Sequence, residues 1–440
     1  ALITEFPERA KRLPPGEREL IFVLPSQAQD LNAYIGPFIE GLFWRAPSAF
    51  SDGTNAIINQ CLNLGTRAWE KTVDALAAVS TKPKHPYHAR RLYAFLSRLT
   101  MPDRDLTWSE YVRRKYASPT IHRLLIWAAK FNAANMKQDS ATELVVLLST
   151  VLTTVVRKDR DTATKALVLI GEKFPNVLFA HVVTSLEFND PYVPERLLAA
   201  AYGTTLSLVD SECAPQFLPV LGDLAETLYS KMFAPGSPYA THHTLMRDYA
   251  LGIIELAQKA HCVELPEDAG ESLSAPFPNT TSTFASDGTP DEAVKAALGY
   301  AIQMDFGNYT MGRLIPNRAN YDDSSPSYVQ VRAKIERRMF DLGYRASTFE
   351  AADREIGRTS WNSDDEEKVD RYGKKYSWIA YFEMFGEREA TKKLPDWRLG
   401  ERTSDCGVDP SFPKRPPDWT PPIPDLFGNL EIGTEAWVQG

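Results

Sequence analysis

The sequence has no hydrophobic run approaching the roughly 20 apolar residues that a membrane-spanning helix needs. Its longest candidate, around Leu144 to Val156, is interrupted by Ser149, Thr150, Thr153 and Thr154, which argues against a membrane partner. Basic charge is not in excess either: 49 Lys and Arg stand against 57 Asp and Glu, a net charge of −8. Recognition of a phosphate backbone wants a clustered cationic surplus, so nucleic acid is not the expected partner. The four cysteines, Cys61, Cys213, Cys262 and Cys406, are far apart and form no CxxC pair, as expected of free thiols in a reducing cytoplasm. A phosphate loop is missing as well. Gly373-Lys374-Lys375 lacks both the preceding glycine and the hydroxyl residue that cradle a nucleotide, so no cofactor is expected in this chain.

What is present is ordinary globular material, 43% hydrophobic and 24% charged. At 440 residues it is too long for one compact core, which stops growing near about 250–300 residues, and fits several domains or an elongated array. The chain opens at Ala1 without an initiator Met or signal peptide and closes just after an apolar, strand-like stretch at Leu426 to Ala436. It reads as a piece of a longer protein.

Residues 1–50 are irregular, with an apolar run at Leu20 to Leu24 that could be strand or helix. From Asp52 the apolar spacing becomes helical: Ile57, Ile58, Cys61 and Leu62, then Trp69, Val73, Leu76 and Ala77. A helix follows over about 89–99, and another starts near Asp105. Three helix pairs come next. The first is 141–156 and 162–174, with Asp161 as N-cap; the second is 176–188 and 192–206, with Asp190 as N-cap and Pro191 at the first position; the third is 216–233 and 241–260. Their starts are separated by roughly 36 and 40 residues, close to the period of two-helix repeats. The fold expected is all-α, a HEAT/TPR-like helical-repeat solenoid over 51–263. A Pro-containing linker over 264–290 leads to a C-terminal helical subdomain over 291–390, with helices at about 291–305, 328–341 and 364–387. A Pro/Trp-rich extended tail over 391–440 closes the chain.

Candidate chemistry is sparse. Asp305-Phe306-Gly307 matches the metal-binding triplet of protein kinases, but the glycine-rich loop and catalytic-loop pattern are missing, so a helix end with Phe306 packed is the better reading. His85 with His88, and His242 with His243, lack the further ligands a metal needs. His261-Cys262 would need a distant partner to act as a dyad. Asp364-Asp365-Glu366-Glu367 reads as the acidic first turn of a helix running to Glu387. In that helix Tyr372, Tyr376, Ile379 and Phe382 form the core stripe. Arg371, Lys374, Lys375 and Trp378 fall partly off it, as a solvated face or as a cationic, aromatic patch for a partner.

Several ordered segments over about residues 80–385 together resemble the C-terminal helical region of large bacterial STAND-type ATPases, a group that includes the AVAST antiphage defence proteins. They are His85-Pro86 leading to Arg91-Leu92; Met101-Pro102-Asp103-Arg104-Asp105 with Trp108; and Arg157 to Asp161 followed by Ala163 to Leu167. Further along come Asn189 to Val193 with Glu195-Arg196-Leu197 and Ala201-Tyr202-Gly203, Arg247 to Ala250, Asp305-Phe306-Gly307, and Tyr372 to Tyr376 with Trp378-Ile379-Ala380. The chain departs from that pattern at Pro194 and at Asn308, where an Arg is expected. The resemblance implies a non-catalytic sensor or scaffold region that recognises a protein ligand such as a phage component. ATP and Mg would be held by an ATPase domain upstream in the same polypeptide, with oligomerisation on activation. The alternative expectation is an enzyme of unrecognised type, with a site where the array meets the C-terminal helices, built from Asp305, Arg371, Lys374 and His261.

Overall fold

The computed structural model describes residues 36, 38–63, 66–114, 118–128, 136–284, 287–302, 306–316, 324–360 and 369–395. Among these the chain is all-helical, with one isolated antiparallel bridge between Val156 and Val369 and no strand. No helix among them is long and apolar enough to cross a membrane.

After a helical segment over 38–44, α1 (Asp52–Asn63) and α2 (Thr66–Ser80) form a hairpin, and α3 (Ala89–Leu96) follows. Next, α4 (Met101–Arg104) passes through a widened π turn (Asp105–Ser109) into α5 (Glu110–Arg113). The start of α4 is fixed by Thr100, whose hydroxyl accepts from the Asp103 N–H, with Pro102 in the first turn where its missing N–H costs nothing. Beyond α6 (Pro119–Ala128) come the pairs α7 (Gln138–Val151) with α8 (Arg157–Lys173), α9 (Pro175–Ser185) with α10 (Tyr192–Leu208), and α11 (Ala214–Leu228) with α12 (Thr244–Lys259). The short α13 (Ala269–Ser272) and α14 (Glu292–Leu298) lead to α15 (Pro326–Asp341), α16 (Ala346–Ser360) and α17 (Tyr372–Ala390).

Each pair packs on itself, α7 also packs on α9 and α9 on α11, while α8 packs on α10 and α10 on α12. Leu167, Ile170, Leu197, Leu198, Ile253 and Ile254 supply the fully buried seam of the second set. Burial of each such side chain contributes about 1.5–3 kcal/mol before entropy is counted. Buried apolar residues from Val73 to Leu394 form one continuous cluster, so α15, α16 and α17 share a core with the helix pairs. A smaller cluster around Phe38, Leu42, Ile57, Ile58 and Cys61 holds the N-terminal hairpin.

Several boundaries differ from the sequence expectation for local reasons. Arg157 to Asp161 is the first turn of α8, not a turn before it, and Asp161 is therefore interior to the helix rather than its N-cap. The backbone is free to turn earlier, at Thr154–Val156, where the Thr154 hydroxyl accepts from the Val156 N–H. Helix α10 starts one residue later than expected: Pro191 is the residue before it rather than its first, and Asp190, one position further out, accepts from the Tyr192 N–H at 3.2 Å without being the N-cap. Segment 264–290, expected as a linker, contains α13 and buries Phe277 and Phe284 in the common core. Helix α16 was not anticipated. The acidic run Asp364 to Glu367, the apolar run at Leu20 to Leu24 and the tail from 396 onward lie outside the described residues.

Candidate functional site, a buried charge junction on α17

Helix α17 carries Lys375 into the interior, where its side chain has no exposure at all. The ammonium donates to Asp105 Oδ1 at 2.7 Å, to Asp190 Oδ2 at 2.7 Å and to the Thr153 carbonyl at 2.9 Å, so its three protons are matched. Asp105 comes from the π turn, Asp190 from the turn before α10 and Thr153 from the turn after α7. One side chain thus joins segments separated by 185 to 270 positions in sequence.

Arg104, also fully buried, completes the set. Its guanidinium lies 3.9 Å from Asp190, donates to Asn189 Oδ1 at 2.6 Å and to the Leu96 carbonyl at 3.0 Å, and stacks 4.4 Å above the Phe188 ring. Two cations and two carboxylates leave the junction neutral, which is what makes burial of four charges tolerable. Burial is the larger influence on Asp105 and pushes its carboxyl above the ordinary range, while Lys375 pulls it back. The Tyr376 hydroxyl is buried beside that carboxylate without a well-formed hydrogen bond, and burial raises its pKa.

The first turn of α17 is held from α16. Asp353 accepts from the backbone N–H groups of Tyr372 at 2.5 Å and Gly373 at 3.1 Å and from the Tyr344 hydroxyl at 3.0 Å. This is a carboxylate cap supplied by another helix, satisfying donors that α17 itself leaves unpaired. Tyr372 in turn donates to Glu110 at 3.0 Å, and Glu110 pairs with Arg113. At the other end of α17, Arg247 of α12 pairs with Glu389 and stacks 3.8 Å over Phe277. Midway, the buried His243 and Glu195 face each other at 3.7 Å; desolvation holds the imidazole down at about 3 and raises the carboxyl to about 7.

The four residues expected as a partner patch divide. Lys375 is interior and supplies no surface charge. Trp378 is half-buried, with its ring centroid 5.3 Å from that of Phe306 and 5.2 Å from that of Phe382. Arg371 is the half-buried residue preceding α17, and Lys374 pairs with Asp370 at 2.6 Å. Of the alternative catalytic set, His261 is exposed after α12 and Asp305 lies outside the described residues.

Phe306 is packed, as expected. His85 is a turn residue, accepting from the Tyr87 N–H while its other ring nitrogen meets the Leu42 carbonyl, and His243 caps α12. Among the described residues no His, Cys, Asp and Glu gather as a metal site.

The junction brings together an acid, a base and a second acid, yet it is closed to solvent. Its chemistry is positional: it fixes α17 against the helix pairs. A sign of it was legible, since 372, 375, 376 and 379 follow the i, i+3, i+4, i+7 spacing of a buried helical face. Lys375 therefore occupies a core position, and a lysine there calls for buried acids. Nothing in the sequence singles out Asp105 and Asp190 as those acids. No family model, curated protein or solved structure matches this chain.

Proposed function

We propose that this chain is a non-catalytic helical-repeat scaffold that recognises a protein ligand, a HEAT-like solenoid over α7 to α12 closed at one side by α17. The observation that carries the reading is the packing order: each pair touches itself and the next pair along, the nearest-neighbour arrangement of stacked repeats. Such arrays offer extended surfaces for protein partners. The closed, neutral charge junction supports a rigid mount for α17 more than a reaction centre.

By its resemblance to STAND-type ATPases, the chain serves as the cytoplasmic sensor region of a longer bacterial defence protein. Its ligand would be a phage protein, and ATP with Mg would belong to a domain outside it. The test is binding of individually purified phage proteins to the full chain, together with ATP binding and turnover by that chain. A saturable one-to-one complex with one phage protein and no nucleotide turnover is the expected result. Turnover by this chain, or no phage protein bound, overturns the proposal.

A further inference from the structure

Between α1 and α2 on one side and α3 and α4 on the other lies an apolar cleft of about 310 Å³. Its wall includes Leu62, Trp69, Val73, Leu92, Phe95 and Trp108, and it follows the seam between the two hydrophobic clusters, both of which Leu62 touches. The volume falls at the lower end of ligand clefts, about 300–1,000 Å³. Phe95 is 60% exposed, a large aromatic surface that an occupant would remove from water.

The polar lining is small and asymmetric. Arg91 is held by neutral partners only: it donates to the Pro86 carbonyl at 3.2 Å and to Asn55 Oδ1 at 3.2 Å, with its guanidinium 4.7 Å above the Tyr87 ring. Among the described residues no carboxylate pairs with it. The acid in the wall, Asp103, is engaged by the Thr100 hydroxyl at 2.6 Å in the cap of α4. An oriented guanidinium with its charge uncompensated therefore borders an apolar, aromatic cleft.

We propose that this cleft binds a small amphiphile with one anionic head, a medium-chain carboxylate. Its apolar body would lie against Trp69, Leu92 and Phe95, and its carboxylate would take the open positions of the Arg91 fork. A concave cleft walled on several sides suits a small molecule better than a partner's helix, which needs an open groove. The inference stands apart from the protein-recognition reading and survives its failure.

Calorimetric titration of the full chain with decanoate, decanol and decyltrimethylammonium tests it. Decanoate is expected to bind one to one, decanol at least about tenfold more weakly, and the cation not at all. Arg91→Gln brings decanoate to the decanol level without changing decanol binding, and Arg91→Glu transfers the preference to decyltrimethylammonium. Leu92→Trp, which fills the cleft, abolishes binding of every probe. Thermal unfolding of each variant confirms that it folds, the Arg91 side chain being exposed. Equal binding of decanoate and decanol, an unchanged decanoate affinity in Arg91→Gln, or no saturable binding by any probe overturns the proposal.

Discussion

The helix pairs α7 to α12 and the single helix α17 are held in place by different physics. Along the pairs, contacts run to the next helix and to the one after it, and are mostly apolar: Leu167, Ile170, Leu198 and Ile254 fill the seam of α8, α10 and α12. Around α17 apolar packing on α15 and α16 is joined by matched charges that reach back across the chain, Lys375 with Asp105 and Asp190, and Arg247 with Glu389. An apolar seam tolerates a small error by repacking. A charge junction does not, because removing one member strands the others in a medium that cannot solvate them.

Lys375→Met should therefore have the largest effect, a destabilisation of about 3–5 kcal/mol, read as a lowered midpoint in urea. Adding Asp105→Asn removes the one surplus carboxylate, leaves Arg104 facing Asp190 in a neutral pair, and should return much of that loss. A loss below about 1 kcal/mol for the single variant would show that water reaches the junction and would break the contrast with the apolar seam.

Leu198→Ala, in the middle of α10, should cost about 3 kcal/mol through lost burial and the cavity left behind. The same measurement reads it. Salt does not separate the two regions: the Leu198 effect should be indifferent to ionic strength, and so should that of Lys375, since a pair without exposure is poorly screened.

The Glu195 and His243 pair sits where the two kinds of packing meet and makes the contrast depend on pH. The folded carboxyl titrates at about 7 against an ordinary value of 4.5. Above pH 4.5 the unfolded chain has released the proton that the folded chain still holds, so stability falls as pH rises through that window. His243 acts in the other direction: the folded imidazole stays neutral down to about 3, so stability falls as pH drops below 6.5. Glu195→Gln should flatten the alkaline side only, with a gain of about 2–3 kcal/mol at pH 8 relative to pH 4.5. An unchanged pH profile in that variant would mean that Glu195 is ionised in the folded chain.

How far the sequence discloses these regions follows from the range of their contacts. The pairs were legible because their apolar spacing is local. Their order emerges within a few residues of the expected bounds. Helix α16 was hidden because its sequence, Ala346–Ser360, is largely polar and contributes mainly Phe349 and Ile356 to the core. The cap of α17 was hidden for a different reason: Asp353 belongs to α16, and spacing within α17 cannot reveal a carboxylate supplied from another helix. Segment 264–290 reads as a linker because four prolines stand among serines, threonines, glycines and aspartates. Phe277 and Phe284, two isolated aromatics with no period, anchor it instead.

The smallest effect sharpens the comparison most directly, because it uses the neighbouring lysine. Lys374 is about one-third exposed, so water reaches the cationic end of its pair with Asp370, which is itself buried near Arg160. Lys374→Ala should cost no more than about 1 kcal/mol and lose most of that cost at high salt. Two adjacent lysines, one turned outward and one inward, would then differ several-fold in their contribution to stability. If Lys374→Ala instead proves as damaging as Lys375→Met, the Asp370 pair belongs to the buried network. The bridge at Val156 and Val369, together with the Asp370 N–H donating to the Val155 carbonyl, would then have to be counted as part of the same junction.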